Sequence, residues 1–325
     1  MTPLERALRE RVLAEGPISI EAYMQACNAY YYATRDPLGP EGDFITAPEI
    51  SQMFGELVGA ALADCWWRAG SPSEMLYVEL GPGRGTLAAD ALRAMGRAGL
   101  EPAVHFVETS PVLRREQSGK VAHATWHERL AGVPNAPLLV VANEFLDALP
   151  VRQFIGGMER RVDVVAGGLA FDRDGEIIED SPARDAIVTE LGKRLARDGG
   201  VAILIDYGHA ASAPGETLQA VRGHKFAHVL ERPGEQDLTA HVDFAAVAKA
   251  AEEAGALVTS LVTQGEWLER LGIAARADAL ARAQPERAEE VKTALRRLCD
   301  DREMGTLFKA IAIHAPDWPT PAGFE

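Results

Sequence analysis

The sequence contains little cysteine, since its 325 residues include only Cys27, Cys65 and Cys299. These three residues stand far apart, and no C-x-x-C pair occurs in the chain. Disulfide-rich domains need several paired cysteines, and structural zinc sites need closely spaced ligands. The sequence therefore predicts neither. Its 47% of hydrophobic residues is typical of a folded globular protein.

Long hydrophobic runs are also missing. No stretch approaches the roughly 20 apolar residues that a membrane-spanning helix requires, so we expect no membrane span. Residues 1–16 mix charged and apolar side chains without a continuous apolar segment. This pattern predicts an amphipathic helix and not a signal peptide. From these absences we expect a cytoplasmic, reducing location.

Basic residues are outnumbered by acidic ones. The chain has 33 lysines and arginines against 48 aspartates and glutamates, which gives a formal net charge of −15. Such a surface repels phosphate backbones, so the balance argues against a nucleic-acid substrate. It attracts basic partner proteins, although a simpler interpretation is that the charge only keeps the protein soluble.

Short apolar runs alternate with helical segments from residue 75 onward. Strands are predicted at residues 75–80, 104–108, 122–126, 137–145, 201–206, 256–262 and 306–314. This alternation predicts βαβ units, and hence an α/β fold with a doubly wound, Rossmann-like parallel sheet.

The remaining regions suggest a division of the chain. We expect an N-terminal helical segment with a lid at residues 1–72 and the α/β domain at residues 73–315. Glycine pairs predict a β-hairpin insertion near residues 150–175. A loop on the substrate side is predicted near residues 207–243, and residues 316–325 are predicted to be a tail.

A glycine-rich loop follows the strand predicted at residues 75–80. Gly81, Gly83 and Gly85 alternate, and Glu79 stands two positions before the first of them. Glycines ahead of a helix let bare backbone N–H groups approach a ligand. A dinucleotide-binding fingerprint would place glycine where this chain has Thr86. The leading carboxylate instead suits a ligand with an amino-acid head, because Glu79 can meet its ammonium group.

A second carboxylate ends the next strand. Glu108, followed by Thr109, occupies the position that presents an acid to the ribose of an adenosine ligand in doubly wound folds. Two carboxylates near the ligand also suit a sulfonium cation. The alternative is that Gly81 to Gly85 form only a tight turn and that Glu108 is a solvated strand end.

Six longer segments carry a family resemblance. They are GDFITAPEISQMFG (42–55), VELGPGRGTL (78–87), ANEFLDALPVRQF (142–154), DYGH (206–209), DLTAHVDF (237–244) and MGTLFK (304–309). In this order, over nearly the whole chain, they resemble the MidA-like family of class I methyltransferases. The resemblance implies a seven-stranded sheet, S-adenosylmethionine (SAM) as the methyl donor and a protein arginine as the acceptor.

The same resemblance implies partners. We expect a protein substrate with an accessible arginine, for which a respiratory-complex subunit is the candidate, and a homodimer is compatible with the sequence. One local departure is AYYY at residues 29–32, where the family has Gly-Tyr-Tyr. The aromatic residues are kept, and the glycine is not.

Polar residues lie at the end of the strand predicted at residues 137–145, at the sheet edge where open α/β folds bind ligands. Arginine methylation needs one guanidinium nitrogen turned toward the methyl group while carboxylates hold the charge. We therefore expect Glu144 and Asp147 to clamp the guanidinium, with Asn143 on the cofactor side. For Asp147, the alternative is that it caps the following turn.

A loop and a histidine complete the predicted site. Thr46 and Gln52 belong to a polar loop that is either a lid over the cofactor or an ordinary helix entry, and the resemblance favours the lid. His241 either hydrogen-bonds the substrate or is a satisfied loop histidine. The motifs at 206–209 and 237–244 lack tight metal-ligand spacing. Methyl transfer needs no metal, so we expect none.

Alternatives to an active arginine methyltransferase stay open at this point. A SAM-binding assembly factor with little turnover has the same motifs, and the Glu144 and Asp147 pair favours catalysis only weakly. A small-molecule methyltransferase is a further alternative. A nucleotide-dependent oxidoreductase on the same fold class is disfavoured by Thr86.

Overall fold

The computed structural model describes residues 1–36, 38–39 and 42–325. Its helices are α1 (Pro3–Glu15), α2 (Ile20–Thr34), α3 (Ala47–Ile50), α4 (Gln52–Arg68), α5 (Thr86–Arg97), α6 (Pro111–Lys120), α7 (Pro182–Asp198), α8 (Phe244–Glu253), α9 (Gln264–Arg270), α10 (Ile273–Ala283), α11 (Ala288–Cys299) and α12 (Met304–Leu307). Its strands are β1 (Ile18–Ser19), β2 (Leu76–Leu80), β3 (Ala103–Val107), β4 (Thr125–His127), β5 (Leu138–Asn143), β6 (Arg152–Ile155), β7 (Met158–Glu159), β8 (Arg161–Val165), β9 (Gly168–Phe171), β10 (Ile178–Asp180), β11 (Gly200–His209), β12 (Gln219–Arg222), β13 (Lys225–Ala227), β14 (Asp237–Thr239), β15 (Val242–Asp243), β16 (Leu257–Val258), β17 (Val262–Thr263) and β18 (Phe308–His314). Two short 3-10 helices lie at Leu130–Gly132 and Pro285–Arg287.

A mixed sheet of nine described strands forms the centre of the fold. Its main path runs β16–β18–β11–β5–β2–β3–β4, with β15 paired to β11 and β17 paired to β18. The strands from β11 to β4 along this path are parallel, whereas β18 runs antiparallel to β11. The predicted α/β class is confirmed.

The strand count and direction differ from the predicted seven-stranded parallel sheet. The strand predicted at residues 256–262 is divided into β16 and β17, which pair separately with β18. Between them, the Ala312 N–H donates to Thr259 Oγ1 at 3.0 Å, so a side chain replaces a backbone partner and interrupts the ladder. The antiparallel direction of β18 makes the sheet mixed.

The strand β5 lies in the middle of the sheet because its residues are apolar on both faces. All six residues from Leu138 to Asn143 are buried, as expected for a parallel strand covered by helices on both sides. Its neighbours β2 and β11 run in the same direction. Their carboxyl ends therefore meet at one edge of the sheet, where the glycine loop and Asn143 also lie.

Two small antiparallel sheets replace the single hairpin predicted near residues 150–175. One sheet has the order β1–β8–β9 and the other β10–β6–β7. Turns with positive φ at Gly156, Gly157 and Gly167 allow the reversals. The insertion extends to Asp180, and its pairing with β1 near the amino terminus was not visible in the sequence.

The loop predicted near residues 207–243 contains several short strands. The strand β11 continues to His209, and β13, β12 and β14 form a three-stranded sheet. The missed signal is the two-residue turn at Gly223 and His224, which have φ values of 55° and 61°. Positive φ at both central residues is typical of a tight β-hairpin.

The last residues pack against the domain. The Phe324 ring lies 5.5 Å from the Trp267 ring of α9, measured between centroids. Phe324 is buried, so the predicted tail at residues 316–325 covers part of the apolar core. Among the helices that the structure describes, none is long and apolar enough to cross a membrane.

Helices α4 and α5 approach each other closely at two glycines of α4. A Cβ atom at Gly59 would lie 2.6 Å from the Ala91 Cα atom, and one at Gly55 would lie 2.7 Å from the Asp90 Cβ atom. The backbone of α5 cannot yield as a flexible side chain does. Because α5 begins at the glycine loop, this contact also positions the predicted cofactor site.

We expect Gly59→Ala to destabilise the protein by about 1–3 kcal/mol, because the new methyl group forces α4 and α5 apart. Urea unfolding measures the change. The matched control is Gly96→Ala, another glycine in a helix, where an added Cβ atom meets nothing within 4 Å. The control should be neutral or stabilising. Equal stability of the Gly59 variant and the wild type would contradict the argument.

Candidate active site

The glycine loop between β2 and α5 leaves bare backbone facing a cavity. Gly81, Gly83 and Gly85 have φ values of 63°, 52° and 76°, which side chains rarely tolerate. A Cβ atom would lie 2.8 Å from Phe145 at Gly81 and 2.9 Å from Leu38 at Gly83. The loop is thus enclosed between the loop after β5 and the N-terminal segment, and only glycine fits there.

A cavity of about 770 Å³ opens at the carboxyl ends of the parallel strands. The residues predicted for the site that line it are Thr46, Glu79, Gly81, Gly83, Glu108, Thr109, Asn143 and Glu144. Four other predicted residues, Gln52, Gly85, Asp147 and His241, are not among its lining residues. The structure therefore brings together most of the predicted cofactor residues and separates Glu144 from the other two residues of the predicted catalytic set.

Glu79 is a buried carboxylate at the cofactor loop. It is 3% exposed and accepts a hydrogen bond from the Tyr77 hydroxyl at 2.6 Å. Burial raises the pKa of Glu79 to about 8, although the Tyr77 hydroxyl opposes the shift. A cationic ligand would stabilise the ionised form of Glu79, because the ammonium of an amino-acid head would compensate the negative charge of the carboxylate.

Glu108 is held by the loop that follows β3. Its Oε1 atom accepts from the Ser110 N–H at 2.7 Å, and its Oε2 atom accepts from Gln117 Nε2 at 3.2 Å. Burial raises its pKa. Each oxygen still has lone pairs, so the carboxylate can accept from ribose hydroxyls as well.

Gln117 is a site residue that the sequence analysis missed. Its side chain is fully buried, and Nε2 also donates to the Gly83 carbonyl oxygen at 2.7 Å. The Trp126 indole N–H donates to Gln117 Oε1 at 2.7 Å. One amide therefore ties the glycine loop to Glu108. The available signal was a glutamine on the buried face of α6, one turn after Leu113.

The N-terminal segment closes over the glycine loop through Arg84. This residue donates to Asp36 Oδ2 at 2.6 Å and to the Leu38 carbonyl oxygen at 2.6 Å. The Thr86 hydroxyl donates to Glu49 Oε1 at 2.5 Å. These contacts place the segment around Thr46 beside the cofactor loop, as a lid requires.

The two predicted lid contacts differ in position. Thr46 lines the cavity and makes no side-chain capping hydrogen bond to α3. Gln52 is exposed on the first turn of α4, where Nε2 donates to Glu56 Oε1 at 3.4 Å. Ser51, not Thr46, caps the helix that follows. Gln52 therefore points away from the cavity, since the turn of the helix carries it to the outer face.

Glu144 stands at the cavity wall directly after β5. Its φ is 50°, an unusual conformation for a residue with a side chain. Oε1 lies within hydrogen-bond distance of the Ala47 N–H at 3.4 Å and of Asn143 Nδ2 at 3.2 Å. Burial, followed by the negative charge of Asp147, raises the pKa of Glu144 to about 8.

Asn143 leaves one acceptor without a partner. Because its Nδ2 atom faces the Glu144 carboxylate, its Oδ1 atom is the free end of the amide, and this atom has no hydrogen-bond partner among the described residues. Buried acceptors are rarely left unpaired. Asn143 lines the cavity, but this oxygen atom is itself buried.

Asp147 and His241 lie behind the cavity wall. Asp147 is 5% exposed, and its backbone N–H donates to Asp206 Oδ2 at 3.2 Å. The His241 ring meets the Tyr207 ring edge-on at 5.5 Å between centroids, and the His241 backbone N–H donates to Thr217 Oγ1 at 3.0 Å. Burial raises the pKa of Asp147 and lowers that of His241. The second interpretation of His241, a satisfied loop residue, fits these contacts.

Comparison with known proteins identifies the family. A family of S-adenosyl-L-methionine-dependent methyltransferases matches residues 57–166 and 157–262. The chain belongs to this family. The SAM methyltransferase expected from the sequence is confirmed, and SAM is its methyl donor. The glycine loop, Glu79 and Glu108 fit the amino-acid head and ribose of that cofactor.

Curated relatives cover most of the chain. The protein arginine methyltransferase NDUFAF7 homolog, mitochondrial, of Drosophila melanogaster is 37% identical over 369 residues, covering 95% of this chain and 84% of its own length. The mitochondrial protein arginine methyltransferase NDUFAF7 of Homo sapiens is 32% identical, covering 96% and 83%. The cytoplasmic location predicted from the sequence is contradicted, because both relatives are named as mitochondrial proteins.

A solved structure resembles the whole chain. A Burkholderia thailandensis protein, whose crystal structure contains bound S-adenosyl-homocysteine, has a TM-score of 0.85 and 27% sequence identity. The alignment covers 98% of this chain and 93% of that protein. The likeness to this protein therefore extends beyond the central sheet to most of the chain.

We expect Glu108→Ala to weaken SAM binding by roughly one to two decades, because hydrogen bonds to a charged group contribute about 1.5–3 kcal/mol. Calorimetric titration with SAM measures the affinity. The control is Glu116→Ala, an exposed glutamate of the neighbouring helix α6. Unchanged affinity in the Glu108 variant would place the ribose elsewhere.

The buried Glu79 predicts a pH-dependent stability of the ligand-free protein. The folded state holds its proton up to a pKa of about 8, whereas the unfolded state releases it near 4.5. This contribution to stability is present below about pH 4.5 and is lost as pH rises toward 8. Glu79→Gln should therefore melt above the wild type, by a margin that grows between pH 6 and about 8.5.

Thermal unfolding of both proteins, free and with saturating SAM, measures this margin. Bound SAM should narrow it, since the cofactor's ammonium group compensates the Glu79 carboxylate in the wild type. A margin that stays constant with pH would show that Glu79 is ionised in the ligand-free protein.

Proposed function

We propose that this methyltransferase transfers the methyl group of SAM to an arginine side chain of a protein substrate. The observation that carries the proposal is Glu144, a carboxylate at the cavity wall with no ion-pair partner among the described residues. The relatives named as protein arginine methyltransferases support the same acceptor.

The backbone at Glu144 supports a functional role. A non-glycine residue at positive φ costs free energy, and such conformations concentrate at functional sites. Two contacts hold it in place: the Glu144 N–H donates to the Ile205 carbonyl oxygen at 2.9 Å, and the Leu146 N–H donates to Asp206 Oδ2 at 2.9 Å. The neighbouring strand β11 thus fixes the loop that presents the carboxylate.

The chemistry requires a group that holds a cation and takes a proton. SAM supplies an electrophilic methyl group. A guanidinium keeps its charge in water, so its nitrogen becomes nucleophilic only as an N–H proton leaves. The Glu144 carboxylate can hold the guanidinium while ionised and accept that proton as the N–C bond forms and the S–C bond of SAM breaks, with S-adenosylhomocysteine as the leaving group. A pKa of about 8 suits this exchange near neutral pH.

Asp147 contributes to the proposed function through its negative charge. It does not line the cavity, but its negative charge raises the pKa of Glu144. A guanidinium bound at Glu144 would be attracted by both carboxylates. We propose no contact with the substrate for His241, because its ring packs on Tyr207.

The proposed partner is a protein with an accessible arginine, and the family resemblance adds a respiratory-complex subunit as the candidate. The formal charge of −15 favours a basic surface around that arginine. The alternative function is a SAM-binding assembly factor with little turnover, and the following measurement distinguishes it from an active methyltransferase.

We expect Glu144→Gln to bind SAM normally and to transfer methyl groups about 10²–10³ times more slowly, the effect of losing one preorganised electrostatic contact. The glutamine keeps the size of the side chain and removes its charge. The measurement is single-turnover transfer from labelled SAM to lysate proteins, followed by mass spectrometry of the labelled residue.

The matched control is Glu190→Gln, a second carboxylate that lines the same cavity on α7 and should leave transfer unchanged. Full activity of the Glu144 variant would refute the proposed role. Label on a residue other than arginine would refute the acceptor. A wild-type protein that binds SAM tightly and labels nothing would favour the assembly factor.

A further inference from the structure

Tyr32 links two sequence motifs that the cofactor site does not use. It lies near the end of α2, lines the cavity, and donates its hydroxyl proton to Asp237 Oδ1 at 2.8 Å. Asp237 begins β14 and is 4% exposed. One residue comes from AYYY and the other from DLTAHVDF, so the fold joins these motifs beside the cavity.

The hydrogen bond decides what Tyr32 can offer to a ligand. A phenol has one O–H donor, and its oxygen also has lone pairs. Because the single proton is directed at a buried carboxylate, the oxygen can only accept a further hydrogen bond. It suits an N–H group of a ligand, whereas a ligand carboxylate or carbonyl oxygen would find no donor there.

Neighbouring contacts fix the position of this ring. The Tyr31 ring meets it edge-on, with centroids 5.1 Å apart and an interplanar angle of 85°. The Ser110 hydroxyl donates to the Tyr32 carbonyl oxygen at 2.5 Å, and the Ser110 N–H donates to Glu108 at 2.7 Å. Tyr32 is therefore tied to the carboxylate that we assign to the ribose.

The surroundings of Asp237 are negative. Burial and the charges of Asp147 and Asp43 raise the pKa of Asp237 to about 7, against the effect of the Tyr32 hydroxyl. Asp237 in turn contributes to the raised pKa of Glu144. An aromatic ring attracts cations to its face. These groups together favour a cationic nitrogen over a neutral one.

We propose that Tyr32 contacts the methyl acceptor and accepts an N–H of its cationic nitrogen, and that Asp237 is a positioning residue that holds the Tyr32 hydroxyl. This inference rests on the proposed function in requiring a cationic nitrogen as acceptor. It goes beyond that function because it assigns the selection of a charged nitrogen to residues of α2 and β14, and β14 lies outside the central sheet.

The experiment uses three small probes on the protein saturated with S-adenosylhomocysteine. They are N-acetyl-L-arginine methylamide, its neutral isostere N-acetyl-L-citrulline methylamide, and N-acetyl-L-lysine methylamide. Their affinities are measured by nuclear magnetic resonance titration for the wild type, Tyr32→Phe and Asp237→Asn. The matched control is Tyr31→Phe, which loses an equivalent hydrogen bond, to Asp43 Oδ2 at 2.5 Å, away from the cavity.

We expect Tyr32→Phe to weaken the arginine probe roughly tenfold, the effect of one lost hydrogen bond to a charged group. The affinity for S-adenosylhomocysteine should stay within about twofold, and Tyr31→Phe should change neither affinity. Asp237→Asn keeps an acceptor for Tyr32 but removes the charge. It should reduce the preference for arginine over citrulline several-fold, which a merely structural role would not do.

Equal probe affinity in Tyr32→Phe and the wild type, or an equal loss in Tyr31→Phe, overturns the inference. A loss of S-adenosylhomocysteine affinity with unchanged probe affinity assigns Tyr32 to the cofactor and overturns it too. If the lysine probe binds through Tyr32 and the arginine probe does not bind, the arginine acceptor fails and this inference stands. A wild type that binds none of the probes overturns both.

Discussion

Buried carboxyl groups that have no ion-pair partner among the described residues are the constraint on which this site depends. Glu144 and Asp147 interact electrostatically with Asp206 and Asp237, and Glu79 is buried separately on β2. Burial raises the pKa of all five groups. A buried ion loses hydration, and the loss is recovered only through an opposite charge or hydrogen bonds. The nearby cation, Arg184, directs its donors at the carbonyl oxygens of Leu146, Ala240 and His241. These groups therefore keep their protons to a higher pH than free carboxylic acids do, and a cationic ligand would favour their ionised forms.

The rest of the fold keeps these groups in place despite their repulsion. Asp206 binds the backbone N–H groups of Leu146 and Asp147 and so holds the loop after β5. Gln117 connects the glycine loop with Glu108, and Arg84 fastens the N-terminal segment over the same loop. The close contact of α4 with α5 anchors the helix on which that loop ends. Asp206 and Gln117 act through backbone and amide groups, and Arg84 pairs with Asp36, so none of these contacts gives Glu144, Asp147 or Asp237 an ion-pair partner.

The sequence was sufficient for local features and insufficient for contacts between distant segments. Four strands could be predicted because they are apolar runs bounded by turns: β2, β3, β5 and β11. The glycine loop could be predicted because Gly81, Gly83 and Gly85 have positive φ, which glycine adopts easily. Gln52 and Thr46 could not be distinguished, because Thr46 precedes α3 and Gln52 begins α4, and only the packing of these helices decides which side chain faces the cavity. The pairing of Tyr32 with Asp237 joins residues 205 positions apart, and no period or motif spacing reports such a contact. The same holds for β1 with β8.

The net charge of the chain and the charge of the site act over different distances. At physiological ionic strength, exposed charges are screened within about 8 Å, so the surface charge of −15 can steer a basic partner but cannot select one nitrogen. The buried carboxyl groups are screened much less. Burial and their mutual repulsion favour the protonated forms, whereas a cation placed among them favours the ionised forms. A neutral isostere of the same shape has no such effect. In the proposed function, selection for a cationic acceptor is therefore a property of the folded protein, and its cost is the raised pKa values of these groups.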